Sequence, residues 1–266
     1  MKIVVCVKEI LDPEAPADFF SIDSTNNRLV AIAKIAKVLN PFDEQAVEAA
    51  LRIKDRLGAK VTAISLGKQL DRVVTKKPLF MGADELILLE DEGFADGDSW
   101  STAYTIAAAI KKLGQCDLVV CGRQAADSNA GQVGIGIAEF LGLPHVSLAR
   151  KIDVFDGKAQ VERVTCNGYE TVEVLLPALI TVSNELGQAR YPAIQNIRVA
   201  NKVQPTIWKH VDVGIDPCRA GKLGRRQKLI RLFQPVREGV CEMVEGETLQ
   251  EAAENLALVL RKAKIL

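Results

Sequence analysis

Residues 117–141 read DLVVCGRQAADSNAGQVGIGIAEFL. The run begins as an apolar strand, passes through a turn of small residues and continues as a helix. Such a turn lets an anion approach the backbone closely and directs free helix N–H groups towards it. Arg123 adds a planar set of donors suited to phosphate. The stretch matches neither common glycine-rich phosphate motif, so it indicates either a nucleotide-phosphate loop or a tight turn whose glycines only reverse the chain.

The preceding residues alternate between strands and helices. Strands are predicted over Lys2–Val7, Lys60–Leu66, Glu85–Leu89 and Asp117–Val120, and helices start at Asn40-Pro41, near Gln69, at Asp98 or Ser99, and at Ile135. This alternation predicts an α/β fold with a doubly wound, mostly parallel, Rossmann-like sheet. Ligands in such sheets bind at the carboxyl ends of the strands, where the strand order reverses. If the fourth strand neighbours the first, residues 6–8, Asn40 and the Gly122-Arg123 turn converge on one ligand.

The pattern changes after residue 144. Asp156-Gly157, between two alternating segments, predicts a β-hairpin added to the sheet, and two more strands follow up to Val182. Residues 183–237 look irregular. A final helix begins at the capping box Thr248…Glu251 and carries an apolar stripe. We therefore divide the chain into an α/β domain, residues 1–183, which carries the candidate nucleotide loop, and an irregular segment with an extended C-terminal arm, residues 184–266. The arm either clasps another chain or folds back on its own sheet.

Composition restricts the function further. The 34 basic and 34 acidic residues cancel, so no nucleic-acid partner is expected. No apolar run approaches the ~18 residues that cross a bilayer, which predicts a cytoplasmic protein without membrane insertion. Six cysteines without a C-x-x-C pair, and two histidines without a suitable partner, predict neither a metal site nor a catalytic nucleophile.

Several motifs occur in a fixed order along nearly the whole chain. They are KIVVCVK at 2–8, NPFDEQAVEA at 40–49, MGAD at 81–84, GRQAADSNAGQ at 122–132, LPA at 176–178, RYP at 190–192 and EMVEGET at 242–248. Together they resemble the β subunit of electron transfer flavoproteins, the EtfB/FixA family. The resemblance implies a heterodimer with a larger α subunit that holds most of the FAD. It also implies electron transport between acyl-CoA dehydrogenases and a downstream acceptor, with no catalytic residue in this subunit.

The resemblance also implies the site residues. Cofactor binding is expected at Cys6, Asn40, Pro41, Phe42, Asp43, Leu66, Gly122, Arg123, Gln124, Ala125, Ala126, Asp127, Ser128, Asn129, Ala130, Gly131, Gln132 and Val133. Asn40 and Asp43 are expected to bond the adenine or ribose, and Arg123 the phosphate, whereas Asp127 is expected to cap backbone N–H groups. The nucleotide is AMP, or a second FAD in electron-bifurcating members; these members often read DGDTAQ where residues 127–132 here read DSNAGQ, so both options stay open.

A docking loop for the dehydrogenase is expected over Arg190–Val199. Its candidate contacts are Arg190, Tyr191, Ile194 and Ile197. Ile194 stands where the family carries an apolar anchor, and one apolar side chain filling a partner's pocket is a frequent hot spot. The alternative is that Ile194 is an ordinary core residue. At the level of the whole chain, the alternatives are a stand-alone nucleotide sensor resembling universal stress proteins and, with less support, an ATP-using ligase.

Overall fold

The computed structural model describes residues 1–235, 239 and 241–265. These residues form two compact units. The first comprises Met1–Ser21 and Leu29–Ile230, and the second comprises Ile22–Arg28 and the described residues from Arg231 onward. By compactness, residues 184–230 therefore group with the α/β body, whereas the sequence-based division began the arm at residue 184. The functional roles given to the two predicted domains stay predictions.

The first half of the chain supplies the parallel core of the sheet. Its elements are β1 (Lys2–Val7), β2 (Glu9–Leu11), β3 (Phe20–Asp23), β4 (Arg28–Ala31), β5 (Lys37–Leu39), α1 (Pro41–Leu57), β6 (Lys60–Gly67), α2 (Arg72–Thr75), α3 (Lys77–Met81), β7 (Glu85–Glu90), α4 (Ser99–Leu113), β8 (Leu118–Gly122) and α5 (Val133–Leu141). Each predicted strand is present, displaced by at most two residues at its ends. Between β1 and α1, where the sequence predicted no strand, lie the short strands β2, β3, β4 and β5.

The second half extends this sheet and ends in a helix. Its elements are β9 (His145–Phe155), β10 (Lys158–Thr165), β11 (Gly168–Leu175), β12 (Ala178–Val182), α6 (Ile194–Lys202), β13 (Thr206–Trp208), α7 (His210–Val213) and α8 (Leu249–Lys262). The predicted hairpin is confirmed as β9–β10, which are antiparallel. The expectation that 183–237 is irregular is wrong, because α6, β13 and α7 lie there.

A nine-stranded sheet has the order β11-β10-β9-β12-β8-β1-β6-β7-β13. Within this sheet, all neighbouring strands in the run β9-β12-β8-β1-β6-β7-β13 are parallel. The pairs β9–β10 and β10–β11 are antiparallel. β8 pairs with β1 in register from Ile3↔Leu118 to Cys6↔Cys121. The doubly wound, Rossmann-like class is therefore confirmed, and the strand order reverses between β1 and β8.

Apolar cores lie on both faces of the sheet. Val5, Val120 and Ile180 pack towards α1, while the alternate residues Val4 and Val119 pack towards α4 and α5. Strands that are buried on both faces in this way read as continuous apolar runs, which is typical of parallel sheets between two helical layers. This packing fixes the helix starts over the carboxyl edge of the sheet.

Two helices differ from their sequence prediction. The helix expected over roughly residues 69–81, with Pro78 kinking or shortening it, is divided into α2 and α3 at Lys76. Pro78 lacks the N–H that a continuous helix needs, so it fits only in the first turn of a new helix. At α8, Thr248 Oγ1 accepts the N–H of Glu251 (3.2 Å), as expected for the capping box. The carboxylate of Glu251, however, accepts the N–H of Glu247 instead of that of Thr248 (2.9 Å).

Candidate functional site

The switch point of the sheet carries a crevice of about 630 Å³. The ends of β1 and β8 bring Cys6, Lys8 and Gly122 to it, and the first residues of α1 bring Asn40 and Asp43. The predicted proximity of these three elements is therefore confirmed. Their assignment to nucleotide binding stays a prediction.

Most of the predicted cofactor-binding residues line this crevice. They are Cys6, Asn40, Asp43, Leu66, Gly122, Arg123, Gln124, Ala125, Ser128, Ala130, Gly131, Gln132 and Val133. The other predicted residues, Pro41, Phe42, Ala126, Asp127 and Asn129, lie outside the lining. Four of these five contact residues that do line it. Phe42 lies under the Arg123 guanidinium (5.2 Å to the ring centre), and the side chain of Asn129 accepts a hydrogen bond from Gln124 (2.8 Å).

Asn40 holds the loop after β8. It occupies the N-cap position of α1 as predicted, but its side chain makes no capping hydrogen bond. Its Nδ2 donates to the carbonyl of Gln124 (2.9 Å) and its Oδ1 accepts the N–H of Ala126 (3.0 Å). The side chain is almost completely buried, and both its polar atoms are engaged by backbone that needs partners. Asn40 thus positions the loop, and the expected bond to adenine or ribose stays a prediction.

Asp43 joins three elements at the floor of the crevice. Its carboxylate accepts the N–H of Lys8 (2.8 Å) from the end of β1. A hydrogen bond from the backbone of Gly122 reaches it from the end of β8. Burial raises the pKa of Asp43 from 3.8 to about 7, although these bonds, and one from Asn40, favour the charged form. The carboxyl group is thus held on the protein's own backbone.

Asp127 forms an ion pair instead of a backbone cap. Its Oδ2 lies 2.6 Å from Lys8 Nζ, and both side chains are partly exposed. The prediction of a capping role is therefore wrong. A lysine ammonium that reaches the loop from β1 offers a charged partner, which the nearby backbone N–H groups do not. The pair positions Lys8 at the crevice wall, where its ammonium can also face an anionic ligand.

The start of α5 presents hydrogen-bond donors at one end of the crevice. The N-cap residue Gln132 provides no side-chain cap, so the N–H groups of the first turn lack a side-chain acceptor at that position. Gly134 lets this turn approach the sheet, because a Cβ there would lie 2.9 Å from the methyl group of Thr181. Arg123 lines the same crevice, and its Nη1 donates to Asn184 Oδ1 (3.3 Å). These donors fit a phosphate group.

The far wall of the crevice was not foreseen from the sequence. It is formed by Gly67, Lys68, residues 94–99, Thr102 and Gln227. Asp98 organises this wall: it caps α4 by accepting the N–H of Ser101 (2.9 Å), and it also accepts the N–H of Gln227 (2.9 Å). The sequence did contain one indication of residues 94–99: they follow β7, which ends at the same edge of the sheet as β1 and β6. Gln227 carried no comparable signal.

The Cys6 thiol at the crevice is held in the neutral form. A hydrogen bond that the Cys6 thiol donates to Cys121, together with burial, raises the pKa of Cys6 well above its ordinary value. Outside the crevice, before the start of β8, burial also raises the pKa of Cys116 to about 11. A neutral thiol is a poor nucleophile, so these cysteines act as small buried side chains. In residues 1–235, 239 and 241–265, no group of three or more His, Cys, Asp or Glu side chains is placed to hold a metal ion.

The expected docking segment is a helix for most of its length. Ile194 is the first residue of α6 and is 71% exposed, and Tyr191 before it is 82% exposed. The alternative that Ile194 belongs to the core is therefore wrong. Ile197 is half-buried, and Arg190 forms an ion pair with Glu48 of α1. The four candidate residues lie together, and their role in docking stays a prediction.

The sheet order and its crevice define a doubly wound α/β protein with a crevice at the switch point. Residues 29–209 match the family model of the electron transfer flavoprotein domain. The chain is 38% identical to the caffeyl-CoA reductase–Etf complex subunit CarD of Acetobacterium woodii and 37% identical to the electron transfer flavoprotein subunit beta of Thermoanaerobacterium thermosaccharolyticum; each comparison covers 100% of both chains. It is 33% identical to the protein FixA of Azorhizobium caulinodans over 88% of this chain and 85% of that protein.

The chain therefore belongs to the electron transfer flavoprotein family, among its β subunits and FixA proteins. Its function is electron transfer, and the family associates with a flavin. This assignment replaces the alternatives of a stand-alone sensor and a ligase. In the part of the chain that the structure describes, no helix has the length and apolar character needed to cross a membrane.

Proposed function

We propose that this chain is the β subunit of a heterodimeric electron transfer flavoprotein. It carries electrons between an acyl-CoA dehydrogenase and a downstream acceptor through an FAD held mainly by a larger α subunit, in the cytoplasm. The observation that carries the proposal is the crevice at the β1–β8 switch point, where an uncapped helix start, Arg123 and Lys8 converge. A relative is named as a subunit of an Etf complex, and in this proposal the crevice is the nucleotide site of this chain.

The crevice holds an adenine nucleotide in this proposal. Its volume of about 630 Å³ lies within the usual range for small-molecule sites. The phosphate lies against the first turn of α5 and the guanidinium of Arg123, and the adenosine lies towards Cys6 and Leu66. Asn40 and Asp43 act indirectly, because they hold the loop and the strand ends in place. AMP and a second FAD both suit these groups, and the far wall around Asp98 provides space beyond a single phosphate.

The C-terminal helix α8 is the surface that we assign to contact with a protein partner. α8 has no buried residue, and its apolar residues Leu249 and Leu256, two turns apart on one face, are 93% and 46% exposed. An apolar stripe on an exposed helix is typical of a protein–protein contact. The α subunit is the partner we assign to it, because the complex needs a second chain to hold its flavin.

FAD supplies the electron-transfer chemistry when it is bound, and the protein supplies binding and orientation. In this chain Arg123 and the start of α5 fix the nucleotide, Asn40 fixes the loop that carries Arg123, and Ile194 presents an apolar contact to the dehydrogenase. If the crevice holds a second FAD, the heterodimer could also oxidise NADH and divide the electron pair between two acceptors.

Co-expression with candidate α subunits tests the proposal. The heterodimer should co-purify with bound flavin, and nucleotides released from it should be separated and quantified per heterodimer. One flavin and one AMP assign AMP to the crevice, whereas two flavins and no AMP assign it a second FAD. A stable, colourless monomer that never co-purifies with a flavoprotein would refute the proposed function.

A further inference from the structure

A buried carboxylate lies directly behind the docking segment. Glu48, in the middle of α1, is 5% exposed. Its Oε2 accepts the backbone N–H of Arg190 (3.2 Å) and the Nε–H of the same residue (2.7 Å). A buried carboxylate costs free energy unless it is paired and hydrogen-bonded. Arg190 provides this pairing, and the contact joins two segments that are far apart in sequence.

Further charged groups on α1 complete the contact. Arg52, one turn after Glu48, donates to Glu48 Oε1 (2.8 Å) and to the carbonyl of Leu186 (3.2 Å). Asp55, one turn further, lies 2.8 Å from Arg190 Nη2. The guanidinium of Arg190 therefore bridges two carboxylates on one face of α1, a geometry that its planar, multiple donors permit and a lysine ammonium does not.

The other end of the docking segment is fixed separately. Ala200 near the end of α6 is 3% exposed and packs with Leu79 and Leu86. The segment is therefore held on α1 at residue 190 and on α3 and β7 at residue 200. Between these anchors, Tyr191 and Ile194 are exposed.

We infer that Glu48 is a positioning residue for partner docking: through Arg190 it holds the start of α6 so that Ile194 is presented to the dehydrogenase in one fixed orientation. This inference rests on the proposed function. A contact residue that is already ordered loses less conformational entropy on binding, so the clamp formed by Glu48 and Arg190 lowers the concentration of dehydrogenase needed for docking. Glu48 is buried behind Arg190 and does not itself touch the partner.

The decisive experiment uses the purified heterodimer and the acyl-CoA dehydrogenase that reduces the wild-type complex. Glu48→Gln removes the charge but keeps the shape. The expected results are faster amide hydrogen exchange in residues 190–202, about a tenfold higher KM for the dehydrogenase and a kcat within about twofold of wild type, because only the docking step changes. Glu48→Asp, which retains the charge, should restore part of the loss.

Arg56→Gln is the matched control. It removes an ion pair from the same helix, but Arg56 binds Asp153 and the carbonyl of Ile152 on β9 and not the docking segment. In Arg56→Gln, amide hydrogen exchange in residues 190–202 and the KM for the dehydrogenase should match wild type. Arg190→Lys is a second variant for the case in which Glu48→Gln loses its bound nucleotide; it keeps the charge but cannot bridge both carboxylates, and it should show the same two changes more weakly.

The outcomes separate the clamp from the docking function. If exchange and KM stay at wild-type values in Glu48→Gln while Ile194→Asp raises KM, the clamp is refuted and docking through α6 stands. Faster exchange without a change in KM also refutes the positioning role. If neither Glu48→Gln nor Ile194→Asp changes KM, docking through α6 is itself refuted, and the clamp with it.

Discussion

Asp43 occupies the space that a side chain at residue 122 would need: a Cβ added to Gly122 would overlap Asp43 Oδ1. The same carboxylate accepts the N–H of Lys8. Three elements that are distant in sequence, β1, α1 and β8, therefore meet at one buried carboxyl group. The shape of the crevice depends on this junction, because β1, α1 and β8 carry the lining residues that face the wall formed by residues 94–99.

Gly122→Ala should separate α1 from the end of β8. Overpacking a filled site typically costs about 2 kcal/mol, and here the displaced group is the carboxyl that holds the strand ends. We expect a lower unfolding temperature and a loss of bound nucleotide, measured by chromatography of the nucleotide released from the purified heterodimer. Gly239→Ala is the control, since no atom of the described residues lies within 4 Å of a Cβ placed there. Normal nucleotide content in Gly122→Ala would contradict the proposed junction.

The pH dependence of stability should reflect Asp43. Its pKa is higher in the folded protein, about 7, than the ordinary 3.8, so the folded state keeps a proton that the unfolded state has released. Its stabilising contribution is complete below the ordinary pKa and is lost as the pH rises through 7, with a slope of at most about 1.4 kcal/mol per pH unit.

Asp43→Asn should flatten this dependence. Thermal unfolding of the wild-type and variant heterodimers between pH 5 and about 8 measures the difference. Asp117→Asn is the control: Asp117 accepts the N–H of Lys2 at the opposite end of the sheet, and its replacement should leave the wild-type slope unchanged. A variant Asp43→Asn with the same slope as wild type would show that another group titrates.

The sequence predicted those features that depend on neighbouring residues. Asn40-Pro41 and Gly58 set the bounds of α1, and alternating strands and helices set the sheet. It did not predict β13, whose three residues show no periodicity and gain their strand form by pairing with β7. The Lys8–Asp127 pair joins residues 119 positions apart. Such contacts depend on how the whole sheet is assembled, so local patterns do not reveal them.

The resemblance to a family located the site but not the task of each residue in it. Asn40 and Asp43 lie at the crevice as expected, yet their polar atoms bind the protein backbone. A sequence motif records that a residue is needed at a site and not whether it contacts the ligand or positions its neighbours. Gln227, in contrast, reaches the crevice from a segment with no recognisable pattern.

Arg123→Ala should lower nucleotide occupancy. A charge-assisted hydrogen bond to phosphate is worth enough that its loss should weaken binding about tenfold. The measurement is the nucleotide retained by the heterodimer after extended dialysis. Arg150→Ala, which removes a guanidinium paired with Glu162 outside the crevice, should retain wild-type occupancy. Unchanged occupancy in Arg123→Ala would remove Arg123 from the phosphate site.

Ile194→Asp should weaken docking of the dehydrogenase without affecting the nucleotide. Ile194 is 71% exposed, so a carboxylate there does not disturb a core, but it would place an unpaired charge in an apolar pocket of the partner. We expect the KM for the dehydrogenase to rise about tenfold, the usual effect of losing a hot-spot contact, at unchanged nucleotide content. Val211→Asp, at a similarly exposed residue of α7 (68%), is the control and should dock normally. If Ile194→Asp and Val211→Asp raise KM equally, the effect comes from added surface charge; only a selective rise in Ile194→Asp assigns the contact to α6.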